Sequence, residues 1–116
     1  MEKEYSAGEI GEFSVKYFEA QGCVLRKINN VVVRRRKGTL KKGTPDYVGH
    51  TRVGVALYVE VKTIRDKLSA DQIEFLLHAE SCGCFCYIAT QLKSGGRIEI
   101  IKFSEYYILK NIKPKE

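Results

Sequence analysis

Apolar residues near the start of the chain recur at the spacing of an amphipathic helix. Residues 7–21, AGEIGEFSVKYFEAQ, predict a helix that stops near Gly22, because glycine is common just after the last helical turn. The apolar stripe expected to face the core comprises Ile10, Phe13, Tyr17 and Phe18.

Further along the chain, short apolar runs bounded by turn residues predict a sheet. Residues 55–62, VALYVEVK, are apolar on both faces and indicate a central strand. The sequence SADQ places Ser69 and Gln72 as a capping box and predicts a helix that ends near Gly83. Further strands are predicted at residues 23–28, 31–35, 45–51, 84–90 and 97–103, with a final helix at 104–112. The order α-β-β-β-β-α-β-β-α predicts an α/β fold, a mixed sheet flanked by helices, in one domain over residues 1–116.

Two of these strands carry carboxylates whose register can be counted. If residues 52–54 form a three-residue hairpin turn, Thr51 faces Val55, and Asp46 then faces Glu60. Facing Cβ atoms lie roughly 4.5–5.5 Å apart. Lys62 follows Glu60 by two residues and so shares its face of the sheet.

This cluster has the chemistry of a metal-assisted hydrolase. Two carboxylates this close repel unless a cation lies between them, and oxygen ligands suit Mg²⁺ or Mn²⁺. Lys62 can hold a water or a phosphate oxygen, so Asp46, Glu60 and Lys62 together suit phosphodiester hydrolysis. The alternative is a salt-bridged trio on a solvated sheet face, although the flanking residues are apolar.

Two further residues are candidates for the same site. On the first helix, with about 100° per residue and Ile10 as zero, Glu9 falls near 260° and Glu12 near 200°. Glu9 is therefore nearer the predicted buried stripe, although a glutamate near a helix start needs no catalytic role. Gln72 could serve either the capping box or the site, two roles that would compete for one side chain.

Positive charge is concentrated just before Asp46. The chain carries a formal net charge of +6, and six of its cations fall within nine residues, namely Arg34, Arg35, Arg36, Lys37, Lys41 and Lys42. Such a segment is typical of DNA-backbone binding, and Arg65 and Lys67 would extend the same surface. A solvated basic loop with no binding role is the alternative.

The remaining composition limits the other classes of function. No apolar run is long enough for a transmembrane helix and no signal peptide is evident, so we expect an intracellular protein without membrane attachment. Its cysteines are then expected to be thiols. Cys82, Cys84 and Cys86 alternate rather than forming the paired spacing of a zinc site, and are expected to be small buried strand residues.

The ordered motifs GTPD (Gly43–Asp46), EVKT (Glu60–Thr63) and LSADQ (Leu68–Gln72), with Glu9 on a preceding helix, resemble the VRR-NUC domain of the PD-(D/E)XK nuclease superfamily. The likeness covers roughly residues 7–90. It implies a restriction-endonuclease-like core and a Mg²⁺- or Mn²⁺-dependent endonuclease. In that family's terms Asp46, Glu60, the Val61 carbonyl and Glu9 would bind metal. Lys62 would orient the attacking water, and Gln72 matches the family's glutamine.

The resemblance also implies a substrate and an assembly. Small stand-alone members of phages and bacteria look like structure-specific nucleases that act as homodimers on branched DNA, including four-way (Holliday) junctions. It places the protein in the cytoplasm of a bacterial or phage-infected cell. Tyr106, Tyr107 and Ile108 are candidates for the dimer interface. The rival interpretation is a non-catalytic DNA-binding module of a larger assembly; a sequence-specific restriction enzyme is disfavoured because no recognition domain is evident.

Overall fold

The computed structural model describes residues 2–28 and 43–111, which form three helices and one sheet. The helices are α1 (Ala7–Glu19), α2 (Ala70–Ser81) and α3 (Phe103–Asn111). The strands are β1 (Val24–Lys27), β2 (Tyr47–His50), β3 (Ala56–Lys62), β4 (Phe85–Gln91) and β5 (Ile98–Lys102). The α/β class and the mixed sheet flanked by helices are confirmed. The strand predicted at residues 31–35 lies outside the described residues.

The five strands lie side by side in the order in which they occur in the chain. β3 and β4 are parallel, joined through α2, and the other neighbouring pairs are antiparallel. β3 is the central strand and is buried along most of its length, as its apolar run predicts. Glu60 and Lys62 therefore lie on a strand that is largely shielded from solvent.

Both long helices begin at the same kind of cap. The Ser6 hydroxyl accepts from the backbone N–H of Glu9, and the Glu9 carboxylate accepts from the backbone N–H of Ser6. Ser69 and Gln72 repeat the pattern at the start of α2, which confirms the capping box predicted there. Each cap satisfies two N–H groups that the helix leaves without an internal partner.

The buried face of α1 differs from the predicted stripe. Phe13 and Tyr17 are 42% and 43% exposed, so their prediction as core residues is wrong. The helix instead buries Ile10, Phe18 and the small residues Gly11 and Ser14. Gly11 lies so close to the hydroxyl end of Tyr47 on β2 that a Cβ would clash with the ring. Close approach, rather than the count of apolar side chains, thus sets the rotation of α1.

The sheet has a hydrophobic core on each face. Under α1, Ile10 and Phe18 pack with Leu57, Val59 and Val61. On the opposite face, α2 and α3 contribute Leu76, Ala79, Phe103 and Tyr106, which pack against Cys86 and Ile88 of β4. Because neighbouring residues of β3 point to opposite faces, Glu60 and Lys62 lie on the face covered by α2.

Several surface predictions change with this packing. Tyr106 is 3% exposed and belongs to the core, so its prediction as an interface residue is wrong, whereas Ile108 is 54% exposed. Cys86 is a buried strand residue as expected, but Cys82 is exposed at the end of α2. In the described part of the chain, no helix is long and apolar enough to cross a membrane.

Candidate active site

Asp46 and Glu60 are brought together by the hairpin register predicted from the sequence. β2 and β3 pair as Tyr47 with Val59 and His50 with Ala56, which continues to Asp46 opposite Glu60. The Asp46 backbone N–H donates to Glu60 Oε1 over 3.3 Å. Asp46 Oδ2 accepts from the backbone N–H of Val61 over 2.9 Å. Each carboxylate is thus oriented by the main chain of the other strand.

The Glu60 carboxylate is almost completely enclosed, with 3% of its side chain exposed. Burial, followed by the negative charge of Asp46, raises the pKa of Glu60 to about 7, while Lys62 opposes the rise. A carboxyl group that titrates near neutral pH is a mark of functional sites. Burial is the larger cause of the raised pKa, and the neighbouring charge of Asp46 adds to it.

Lys62 lies beside Glu60 on the same face. Its Nζ is 3.5 Å from Glu60 Oε2 and donates to the Lys67 carbonyl oxygen over 3.1 Å. The Lys62 side chain is only 9% exposed, so both contacts form with little competition from water. The hydrogen bond to Lys67 fixes the position of the Lys62 ammonium. This partner was not predicted from the sequence, because any residue type can supply a backbone carbonyl.

Gln72 fills both roles proposed for it, because its amide has a donor end and an acceptor end. Its Oε1 accepts from the backbone N–H of Ser69 over 2.9 Å, which completes the capping box. Its Nε2 donates to Glu60 Oε2 over 2.7 Å. The expectation that the two roles compete is therefore wrong: the cap holds the amide in the orientation that reaches the carboxylate.

The backbone before Asp46 is packed directly on α2. Gly43 has φ +88° and faces the Asp71 peptide, so that a Cβ would lie 2.7 Å from the Asp71 carbonyl carbon. Pro45 is fully buried. Only glycine combines this positive φ with this close approach. The GTPD segment is thereby fixed between α2 and the sheet, with Asp46 at its end.

Glu9 is not brought to the carboxylate pair. It belongs to α1, on the other face of the sheet, where its Oε1 accepts from Ser6 and its Oε2 pairs with Lys3 over 3.3 Å. The Ser6 backbone N–H and then Lys3 lower the pKa of Glu9. Across residues 2–28 and 43–111, no three His, Cys, Asp or Glu side chains cluster closely enough to hold a metal. Within these ranges, the carboxylates that face each other at the site are those of Asp46 and Glu60.

Val61 lies between the two charged residues of β3. Its side chain packs in the core under α1, while its N–H binds Asp46, so its peptide is held at the site. Just beyond it, Thr63 donates through both its N–H and its hydroxyl to Asp66 Oδ2, which closes the turn leading to Lys67. The six basic residues Arg34, Arg35, Arg36, Lys37, Lys41 and Lys42 lie outside the described residues.

Comparison with known proteins identifies a family for the sequence. The VRR-NUC domain model matches residues 16–91, a stretch that holds Asp46, Glu60, Lys62 and Gln72 and leaves out Glu9. No curated protein matches the chain. The family implies a nuclease with DNA as substrate, and the mixed sheet flanked by helices is consistent with its restriction-endonuclease-like fold. By its matched sequence and its fold, the chain belongs to the VRR-NUC domain family.

Proposed function

We propose that this protein is a divalent-metal-dependent, structure-specific DNA endonuclease that acts as a homodimer on branched DNA such as four-way junctions. The observation that carries the catalytic part is the enclosed Glu60 carboxylate opposite Asp46, with Lys62 at 3.5 Å. The net charge of +6 favours a polyanionic substrate. We further propose that residues 1–116 form a single nuclease domain.

The residues present fit a hard divalent cation. Two carboxylates face each other, and the pKa of Glu60 is raised first by its burial and then by the negative charge of Asp46. Asp46, Glu60 and the Val61 carbonyl would hold Mg²⁺ or Mn²⁺, which prefer oxygen ligands and readily keep water in their shell. When bound, the ion would supply charge stabilisation at the phosphate.

The chain's own groups would position the reactants. Lys62 has three N–H donors, of which one binds the Lys67 carbonyl and one faces Glu60. The third can hold the attacking water or a phosphate oxygen. Gln72 restrains the Glu60 carboxylate through Nε2, so that its other oxygen stays directed towards Asp46. The site thus binds and orients with groups that are already in place before substrate arrives.

The test is cleavage of labelled four-way, flap and linear DNA with Mg²⁺ or Mn²⁺. We expect Asp46→Asn and Lys62→Met each to reduce the cleavage rate by about 10²-fold or more, as loss of a preorganised electrostatic group does. Glu74→Gln on the exposed side of α2 and Lys102→Met on β5 are matched charge controls and should cut normally. Unchanged cutting by both site variants would refute the assignment, and preference for linear duplex would refute the branch specificity alone.

The rival function, a non-catalytic DNA-binding module, makes an opposite prediction. It requires salt-sensitive binding with no metal-dependent cutting by the wild type, and tolerance of Lys62→Met in binding. The site argues against it, because two carboxylates facing each other repel DNA phosphate unless a cation is bound.

The homodimer has its own test. Ile108 of α3, predicted for the interface from the sequence, is 54% exposed, and Leu109 beside it is 55% exposed. Ile108→Glu with Leu109→Glu should convert a dimer to a monomer in sedimentation. Val53→Glu, an equally apolar but more exposed position in the β2–β3 turn, is the control and should leave the dimer intact. A monomeric wild type would remove this part of the proposal.

A further inference from the structure

A pocket of about 340 Å³ lies next to the carboxylate site and is not used by the chemistry described above. It adjoins that site through Lys67, which lines the pocket and whose carbonyl oxygen accepts from Lys62 Nζ. Ile73, the residue after Gln72, lines it from the first turns of α2. A ligand in this pocket would therefore contact Lys67, the residue that holds the Lys62 ammonium.

The charges of the pocket favour an anion. Arg65, Lys67 and Lys110 line it, with the single carboxylate Asp66 among them. Thr63 engages Asp66 through two hydrogen bonds to one oxygen, and Arg65 pairs with Glu4 over 3.4 Å. Within the described ranges, Lys67 and Lys110 are in no ion pair, and the Lys110 ammonium lies 5.7 Å from the Tyr106 ring centre.

The remaining walls are apolar or amide-bearing. Ile64, Leu68 and Ile73 supply aliphatic surface, and Asn111 supplies an amide at the rim. Sites for small ligands range from roughly 300 to 1,000 Å³, so this one has room for a single nucleotide and not for a stacked base pair. Cations beside an aliphatic wall match the two parts of a nucleotide, its phosphate and its base.

We propose that this pocket holds one unstacked nucleotide of the DNA strand that is cut, with its phosphate on Arg65, Lys67 and Lys110 and its base against Ile64, Leu68 and Ile73. This inference rests on the proposed nuclease function and deepens it. A nucleotide can enter the pocket only after it leaves the base stack, and unstacking is easiest where pairing is already interrupted. The pocket would thus select branched or interrupted DNA by size, without reading sequence.

The experiment measures binding in an Asp46→Asn background with chelator present, so that the DNA stays uncut during the measurement. Two duplexes of equal length are compared by fluorescence anisotropy, one fully paired and one with a single unpaired 2-aminopurine nucleotide. We expect the interrupted duplex to bind about 10-fold more tightly, within the range that contacts to one nucleotide supply. Its 2-aminopurine fluorescence should change as the base enters the pocket.

Arg65→Met combined with Lys110→Met removes two exposed cations that do not touch the carboxylate pair. This double variant should reduce the preference to about 2-fold or less, abolish the fluorescence change, and lower the slope of log K against log salt by about 2. Lys102→Met, an exposed lysine of β5, should change none of these beyond about one unit of salt slope. Equal thermal midpoints of all variants show that each is folded.

Two results would overturn the pocket. One is an unchanged preference in the double variant. The other is an equal loss of affinity for both duplexes, which indicates a general phosphate-binding surface. If wild type cuts DNA in an Asp46- and Lys62-dependent way while either result is found, the pocket is refuted and the nuclease stands. If no DNA is cut but the double variant abolishes the preference, the nuclease is refuted and the pocket stands.

Discussion

The side chain of Gln72 connects the first turn of α2 to the carboxylate of Glu60. Its amide nitrogen donates to Glu60 Oε2 over 2.7 Å while its amide oxygen accepts from the Ser69 backbone N–H over 2.9 Å. One residue therefore contributes to helix stability and to the orientation of a buried acid. The two contributions can be separated by experiment.

Replacing Gln72 with alanine removes both hydrogen bonds. We expect a loss of about 1–2 kcal/mol in the free energy of unfolding, the range for a lost cap and a buried hydrogen bond. The cleavage rate should fall as well, because Glu60 loses its restraint. Ser69→Ala is the matched control: it loses the cap hydroxyl at a similar cost but leaves the Gln72–Glu60 contact. If both variants lose activity equally, the effect comes from the helix start and not from Glu60.

The metal-free protein should become less stable as pH rises through neutrality. Glu60 has a pKa of about 7 in the folded state against an ordinary value of 4.5, so the folded state holds this proton more tightly than the unfolded chain. The associated stability is fully present below pH 4.5 and is lost as pH rises through 7, with an upper size of about 3 kcal/mol. Urea unfolding from pH 5 to pH 8, with chelator present, measures it. Glu60→Gln should lack this dependence, and parallel profiles for the two proteins would contradict the origin given.

Metal binding should reverse that loss. At a Mn²⁺ concentration of 100 times the dissociation constant, a ligand that binds only the folded state adds about 2.7 kcal/mol, which raises the thermal midpoint by several degrees. Asp46→Asn and Glu60→Gln should abolish most of the rise, and Glu74→Gln should preserve it. At pH 6.5 binding should also release protons from Glu60, visible as a buffer-dependent heat in calorimetry. A rise of equal size in all variants would place the ion elsewhere.

Gly43 and Gly54 form a matched pair for testing the GTPD backbone. Both have positive φ, +88° and +87°, but a Cβ on Gly43 would meet the Asp71 peptide whereas one on Gly54 would have open space around it. Gly54→Ala should cost about 1 kcal/mol from backbone strain alone. Gly43→Ala should cost more, about 2–4 kcal/mol, and should displace Asp46 and reduce cleavage. Comparable unfolding and cleavage data for the two variants would show that contact with α2 does not position Asp46.

The carboxylate pair was predictable because it depends on local rules. A three-residue turn and the two-residue period of a strand were sufficient to place Asp46 opposite Glu60 and Lys62 beside it. The cap at Ser69 and Gln72 was equally local. Each of these relations spans few residues, so no knowledge of the wider packing was needed.

The rotation of α1 was not predictable in this way. The spacing of apolar side chains predicts that Phe13 and Tyr17 are buried. The helix instead approaches the sheet through Gly11, which has no side chain and so does not contribute to an apolar pattern. The angle predicted for Glu9 was measured from the wrong apolar stripe of α1. The prediction that Glu9 lies near the buried face of this helix therefore failed for the same reason. The pocket at Arg65 and Lys110 could not be predicted from the sequence either, because it forms only when α3 packs beside the turn after β3.

The placement of the site on a hairpin also affects how the chain folds. The β2–β3 hairpin involves contacts close in sequence and can form early, whereas the parallel β3–β4 pairing must wait for closure of the longer α2 connection. In an early hairpin Asp46 faces Glu60, and repulsion between the two negative charges disfavours formation of that hairpin. Gln72 arrives only with α2. Folding of this chain in neutral, metal-free solution should therefore be slowed by the same two side chains that its chemistry needs.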